Sequence, residues 1–197
     1  MEVNTNPKCQ QLLETARHLF KRYGMKRVTI EEICQTANVS KMTFYKFFKN
    51  KTDLARHLID RMITENMSQY RAIMDQDIPF PEKVEKTIEM KLEQARDVSQ
   101  EYFHDVTQAP DPQFAEFITG KQQEAFQEVL RDYLEAQKRG DLRKDMRPEF
   151  ILYFLNHMVE MLTDERLVKL YDSPEDLIIE LTKFFFYGIM PRETGKR

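Results

Sequence analysis

A chain of 197 residues, 41% of them hydrophobic, is long enough to bury a core and too apolar to be disordered. Five glycines, few alternating apolar–polar runs and no apolar run near the roughly 18 residues of a membrane span point to an all-α protein and away from a β-rich or membrane-spanning one. The net charge of −3 is unevenly placed. Residues 1–61 hold twelve Lys/Arg against six Asp/Glu, net +6, and residues 62–197 hold eighteen against twenty-seven, net −9, as in a basic nucleic-acid-binding head on an acidic body.

Residues 1–7 are expected as a frayed tail. From Lys8 to Tyr23, Cys9, Leu12, Ala16, Leu19, Phe20 and Tyr23 share one helical stripe, and Gly24 is placed to end it. Lys21, Arg22, Lys26 and Arg27 surround that stop, either as solvated surface or beside a DNA backbone. Thr29 is a helix cap, and Glu32 three residues on completes a capping box. Ile30, Ile33, Cys34 and Ala37 then form one apolar face. Ala37-Asn38-Val39 makes a turn in which Asn38 tolerates positive φ, and Ser40 caps a second helix. A helix from Lys41 turns Phe44, Phe47 and Phe48 inward and leaves Lys41, Met42, Thr43, Tyr45 and Lys46 outward. Two short helices around so tight a turn predict a helix-turn-helix, whose second helix enters the major groove.

Asn50 caps the next helix, which runs to about Met74 with Leu54, Leu58 and Met62 on one face. Pro79 and Pro81 break the chain, and a long helix is expected from Glu82 to His104. Asp111-Pro112 starts another, which Gly120 either divides or leaves intact and Gly140 ends. Pro148 opens a helix to about Thr163, and Ser173-Pro174 opens one that runs until Gly188 and Pro191. These last two are apolar on more than one face, so they belong either to a simple core or to a subunit interface.

Cys9 and Cys34 form no CxxC and are expected as reduced thiols. His104-Asp105 and His157 with Glu160 lack metal-ligand spacing, so no metal is expected. MEVNTNPKC lacks the apolar segment of a signal peptide, which leads to an expected cytoplasmic location. With no Ser/His/Asp constellation and no glycine-rich phosphate loop, an enzyme is not expected, nor is any cofactor.

Residues 12–62 resemble the N-terminal domain of the tetracycline-repressor (TetR) family of transcriptional regulators. The resemblance is carried by the helix Leu12–Tyr23, Gly24, Val28-Thr29, Ile33, Ala37, Val39-Ser40 and the run from Thr43 through Phe44-Tyr45-Lys46 to Asp53-Leu54. It implies an all-α fold, with a three-helix helix-turn-helix DNA-binding domain over residues 8–52 and a helical ligand-binding and dimerisation domain over 53–190. Helix starts and side-chain donors alone make Thr29, Ser40, Tyr45, Lys46, Lys49 and Lys51 candidates for DNA contact. The resemblance places Thr29, Tyr45 and Lys51 on the DNA backbone, and Lys41, Met42 and Thr43 toward base edges. Two positions depart from the family pattern. Met42 stands where a small residue, usually glycine, is common, and Phe47 stands where a His or Tyr often donates to phosphate.

The same resemblance implies a small-molecule site in the trunk. Candidate lining residues are Tyr102, Phe103, His104, Phe114, Phe117, Tyr133, Phe154, His157, Met158 and Met161, and their Met and Phe content suits an apolar or aromatic ligand. In the family the last two helices pair with their copies, which makes Phe150, Phe154, Ile178, Leu181 and Phe185 candidates for a homodimer interface. The expected function is a homodimeric repressor that binds double-stranded DNA at a near-palindromic operator, answers to a small-molecule effector and has no membrane partner. A helical adaptor using the same head to hold a protein is the second reading.

Overall fold

The computed structural model describes residues 6–96, 98–107, 111–162 and 164–191. Ten helices follow in chain order among them: α1 (Pro7–Tyr23), α2 (Ile30–Thr36), α3 (Lys41–Phe47), α4 (Lys51–Met74), α5 (Phe80–Ala95), α6 (Gln100–Thr107), α7 (Pro112–Arg139), α8 (Pro148–Met161), α9 (Glu165–Val168) and α10 (Pro174–Ile189). Most of the tail expected over residues 1–7 lies outside the described residues; at its end, Asn6 caps α1 and Pro7 is the first helical residue. The helix expected to reach Thr163 ends at Met161, and Thr163 itself lies outside the described residues.

The chain forms two compact units. The first comprises Met1–Thr64 with Asp97–Lys121, the second Glu65–Arg96 with Gln122–Arg197. The expected boundary at 52/53 falls in the first turn of α4. The first unit extends past it because Leu54, Ala55, Leu58 and Ile59 are buried in the same core as Leu12, Phe20, Ile33, Phe44 and Phe48. Val98, Tyr102, Phe114 and Ile118 close that core from α6, its approach and the start of α7.

The second unit packs α10 along α5. Its core is Phe80, Val84, Ile88, Tyr133, Ala136, Leu142, Ile151, Phe185, Phe186 and Ile189. Tyr133 lies edge-on to Phe186 and tilted against Phe185, whose ring stacks on Phe154 at 5.6 Å between centroids. Arg143 closes the end of α10: its backbone N–H donates to the Ile189 carbonyl and its guanidinium to that of Gly188, each at 3.0 Å.

The single helix expected over 82–104 is two. α5 stops at Ala95 with Arg96 in an extended conformation (ψ 134°), and α6 begins after Ser99. No proline or glycine marks the break. Tertiary bonds make it: Val98 is buried, the Ser99 N–H donates to the Lys21 carbonyl at 2.8 Å, and the Ser99 hydroxyl accepts from the Tyr102 N–H. Gly120, by contrast, sits inside one continuous helix of 28 residues.

Candidate nucleic-acid interface

Local chemistry sets the helix-turn-helix. The Thr29 hydroxyl accepts from the Glu32 N–H at 3.1 Å while the Glu32 carboxylate accepts from the Thr29 N–H, the reciprocal box that fixes where α2 begins. Asn38 takes φ 52°, which lets the Val39 N–H reach back to the Cys34 carbonyl at 2.9 Å and turns the chain in one step. The Ser40 hydroxyl accepts from the Thr43 N–H at 3.1 Å and shares a hydrogen bond with the Thr43 hydroxyl at 2.9 Å. α3 then seats on Phe44 and Phe48, both buried, with Phe47 half-buried against the same core.

The segment leading into α2 is held from two sides. On one side, α6 comes so close to Gly24 (φ 80°) that a Cβ there would lie 2.9 Å from both Asp105 Oδ2 and Glu101 Cβ. The buried Asp105 carboxylate accepts from the Lys26 N–H at 2.7 Å and pairs with the Lys26 ammonium at 3.3 Å. On the other side, Lys51 Nζ donates to the carbonyls of Lys26 at 3.0 Å and Val28 at 2.7 Å. Burial pulls the Lys51 ammonium below the usual lysine range, with Asp105 opposing it. Lys51, expected to face DNA, therefore also holds this segment, with two of its three donors engaged there.

Of the other residues expected to face DNA, Lys41, Met42 (74% exposed), Tyr45, Lys46 and Lys49 are exposed, and Thr43 is half-buried. Lys41 does not project alone. Its ammonium forms an ion pair with Glu31 on α2. The hydrogen bond from Lys41 holds the Glu31 carboxyl below its ordinary range and raises the Lys41 ammonium in turn. Sequence reasoning did not single out Glu31. The signal was present, an acid in the first turn of α2 and a base at the first position of α3, but which way each side chain turns depends on the angle between the helices.

The expected ligand residues do not form one set. Tyr102, Phe103, His104, Phe114 and Phe117 fall in the first unit, where Tyr102 and Phe114 are buried core; Tyr133, Phe154, His157, Met158 and Met161 fall in the second. Tyr133, Phe154 and Met158 pack in or against the second core. His157 and Met161 line an open groove of ≈ 600 Å³ with Glu160, Asp164, Arg166, Leu167 and Leu170. Among the expected interface residues, Leu181 and Phe185 are buried within this chain and have little surface to offer a partner, which argues against their assignment. Phe150 is exposed, Phe154 and Ile178 are half-buried, and Tyr153, Phe184 and Tyr187 add exposed aromatic surface on α8 and α10.

Among the described residues, no group of three or more His, Cys, Asp or Glu side chains could hold a metal ion. No helix among them is long and apolar enough to cross a membrane.

A capped pair of short helices around a one-residue left-handed turn, the second offering cations and donors outward, defines a helix-turn-helix DNA-binding protein. Residues 12–58 match the family of bacterial regulatory proteins of the tetR type. The match covers the helix-turn-helix head, which is thus of the tetR type. It is 33% identical over 82 residues to the uncharacterised HTH-type transcriptional regulator YhgD of Bacillus subtilis (strain 168), a match spanning 42% of this chain and only 43% of that relative. The fold is that of the regulatory protein TetR from Rhodobacter sphaeroides, with a TM-score of 0.76 at 21% identity over 94% of this chain and 100% of that one. It is also similar to the fold of the regulator FadR from Bacillus subtilis in complex with stearoyl-CoA, with a TM-score of 0.69 at 14% identity over 91% and 98% of the two chains.

Proposed function

We propose that this protein is a transcriptional repressor that binds a near-palindromic operator as a homodimer and leaves it when a small apolar or aromatic molecule occupies the C-terminal domain. The DNA contacts are assigned within residues 8–52, and effector binding and dimerisation within 53–190. The observation that carries the reading is the outward face of α3, where Lys41, Met42, Tyr45 and Lys46 stand exposed beside Lys49 on a rigidly seated helix. Lys46 and Lys49 there hold phosphates while Lys41, Met42 and Thr43 reach base edges; a thymine methyl is the natural partner for Met42.

The exposed aromatics Phe150, Tyr153, Phe184 and Tyr187 support the homodimer. A twofold dimer presents two recognition helices and so reads two half-sites. The likeness to FadR with its bound stearoyl-CoA supports an effector with a long apolar part. Such an effector acts only by binding the released state more tightly than the DNA-competent one.

A salt titration of binding to DNA flanking the gene, followed by footprinting, tests the reading. The expected result is a protected palindrome and a steep linear fall of log K with log salt, whose slope shrinks by about one in Lys51→Ala. Weak binding that ignores salt and leaves no footprint would sink it and leave the protein-adaptor reading.

A further inference from the structure

Glu31 is an anion in the middle of a surface built to meet an anion. The other acid of that turn, Glu32, is committed to the Thr29 N–H. Glu31 instead accepts from the Lys41 ammonium and, beside it, from its own backbone N–H. Its side chain is 63% exposed, that of Lys41 51% exposed, and the two meet across the angle between α2 and α3, immediately beside exposed Met42. Phosphates repel a carboxylate there, so the residue weakens sequence-independent binding and cancels one cation of the recognition helix. The groups in the major groove that welcome a carboxylate are the base-edge amines, cytosine N4 above all, and the groups that welcome the ammonium beside it are guanine O6 and N7. In one C·G pair these donor and acceptor atoms lie side by side.

Building on the DNA-binding role of this head, we propose that Glu31 and Lys41 act as one specificity-determining pair that reads a single C·G base pair in each half-site, Lys41 donating to guanine and Glu31 accepting from cytosine N4. Their mutual ion pair pre-orients both side chains before DNA arrives, so less rotamer freedom is lost on binding. The ammonium keeps two donors beyond the one given to Glu31, and the carboxylate keeps lone pairs on both oxygens, so the pair need not break to read the base pair.

The test is selection of bound sites from a randomised duplex pool, using the full-length wild type, Glu31→Ala, and the reversed pair Glu31→Lys with Lys41→Glu. Thermal melts check that each is folded. The wild type should select a motif with one C·G pair per half-site whose replacement costs about ten-fold in affinity. In Glu31→Ala that preference should relax at that position alone, while non-specific binding strengthens and the salt slope steepens by about one as Lys41 turns to phosphate. The reversed pair should prefer the inverted base pair there. An unchanged motif in both folded variants would overturn the proposal and leave an ordinary surface ion pair at a helix start. A wild type that selects no motif and shows no salt-dependent binding would instead remove the DNA-binding premise, and the proposal with it.

Discussion

The two units solve burial in different ways. The first closes its core by itself: Phe20, Phe44 and Phe48 are all sealed, and its exposed large side chains, Met42 and Tyr45, sit on the face proposed to meet DNA. The second seals Phe185 and Phe186 yet leaves Phe150, Tyr153, Phe184 and Tyr187 in solvent, on helices with more apolar residues than one core can absorb. Surplus apolar surface in a folded unit marks a place where something else binds, and surplus charge on a closed unit marks a different kind of partner.

Adjacent residues on α10 give the sharpest way to break that contrast. Phe185 is 5% exposed and Phe184 67%. Phe185→Asp buries an unpaired carboxylate and should cost on the order of 4 kcal/mol or more, seen as loss of the cooperative urea transition of the second unit. Phe184→Asp should change that transition by only about 0.5 kcal/mol while light scattering shows monomers. If both variants behave alike, the division between core and surface aromatics is wrong.

Alkali should strain both units, for residue-specific reasons. Burial pushes the Tyr102 hydroxyl in the first unit up to about 12, against a small opposing pull from Arg17. Burial also raises Tyr70 and Tyr133 in the second unit still further. The folded forms hold these protons after an unfolded tyrosine, near 10, has released its own. Stability from Tyr102 is therefore complete below about pH 10 and is lost as pH rises to 12, by about 2–3 kcal/mol. Tyr102→Phe should flatten that loss in the first unit alone, and urea midpoints measured between pH 9 and 12 would report it.

Smaller effects probe the local devices. Thr29→Ala opens the capping box of α2 and should cost about 1 kcal/mol, with a matching loss of DNA affinity because α3 is seated on α2. Gly120→Ala meets nothing within 4 Å and should stabilise α7 by about 0.5–1 kcal/mol in a thermal melt. A destabilised Gly120→Ala would mean that the helix bends there in solution.

What could be read from the residues alone was whatever short-range chemistry decides. The Thr29 box, the Asn38 turn and the Ser40, Asn50 and Ser173 caps each depend on atoms within about four residues, and all are present. The break between α5 and α6 was hidden because Lys21, some eighty positions away, supplies its bond. The internal duty of Lys51 and the pairing of Glu31 with Lys41 were hidden for the same reason. Composition marked α8 and α10 as over-apolar, but which of two neighbouring phenylalanines turns inward depends on how α10 lies along α5 and against Tyr133. The Met- and Phe-rich ligand list mixed two cores because composition does not distinguish a lining from a filling.

Both cysteines of the chain belong to the first unit, Cys9 at 0% exposure and Cys34 at 4%, and burial raises both thiols. This gives the DNA-binding head a built-in clock. A thiol reagent can react only during excursions that unseal the head, so the rate at which mass accrues on the chain counts those excursions directly. No dye, tag or engineered probe is needed, and the second unit, having no cysteine, stays silent. Adding operator DNA or a candidate effector and watching that clock slow or quicken would show which of them steadies the head and which loosens it.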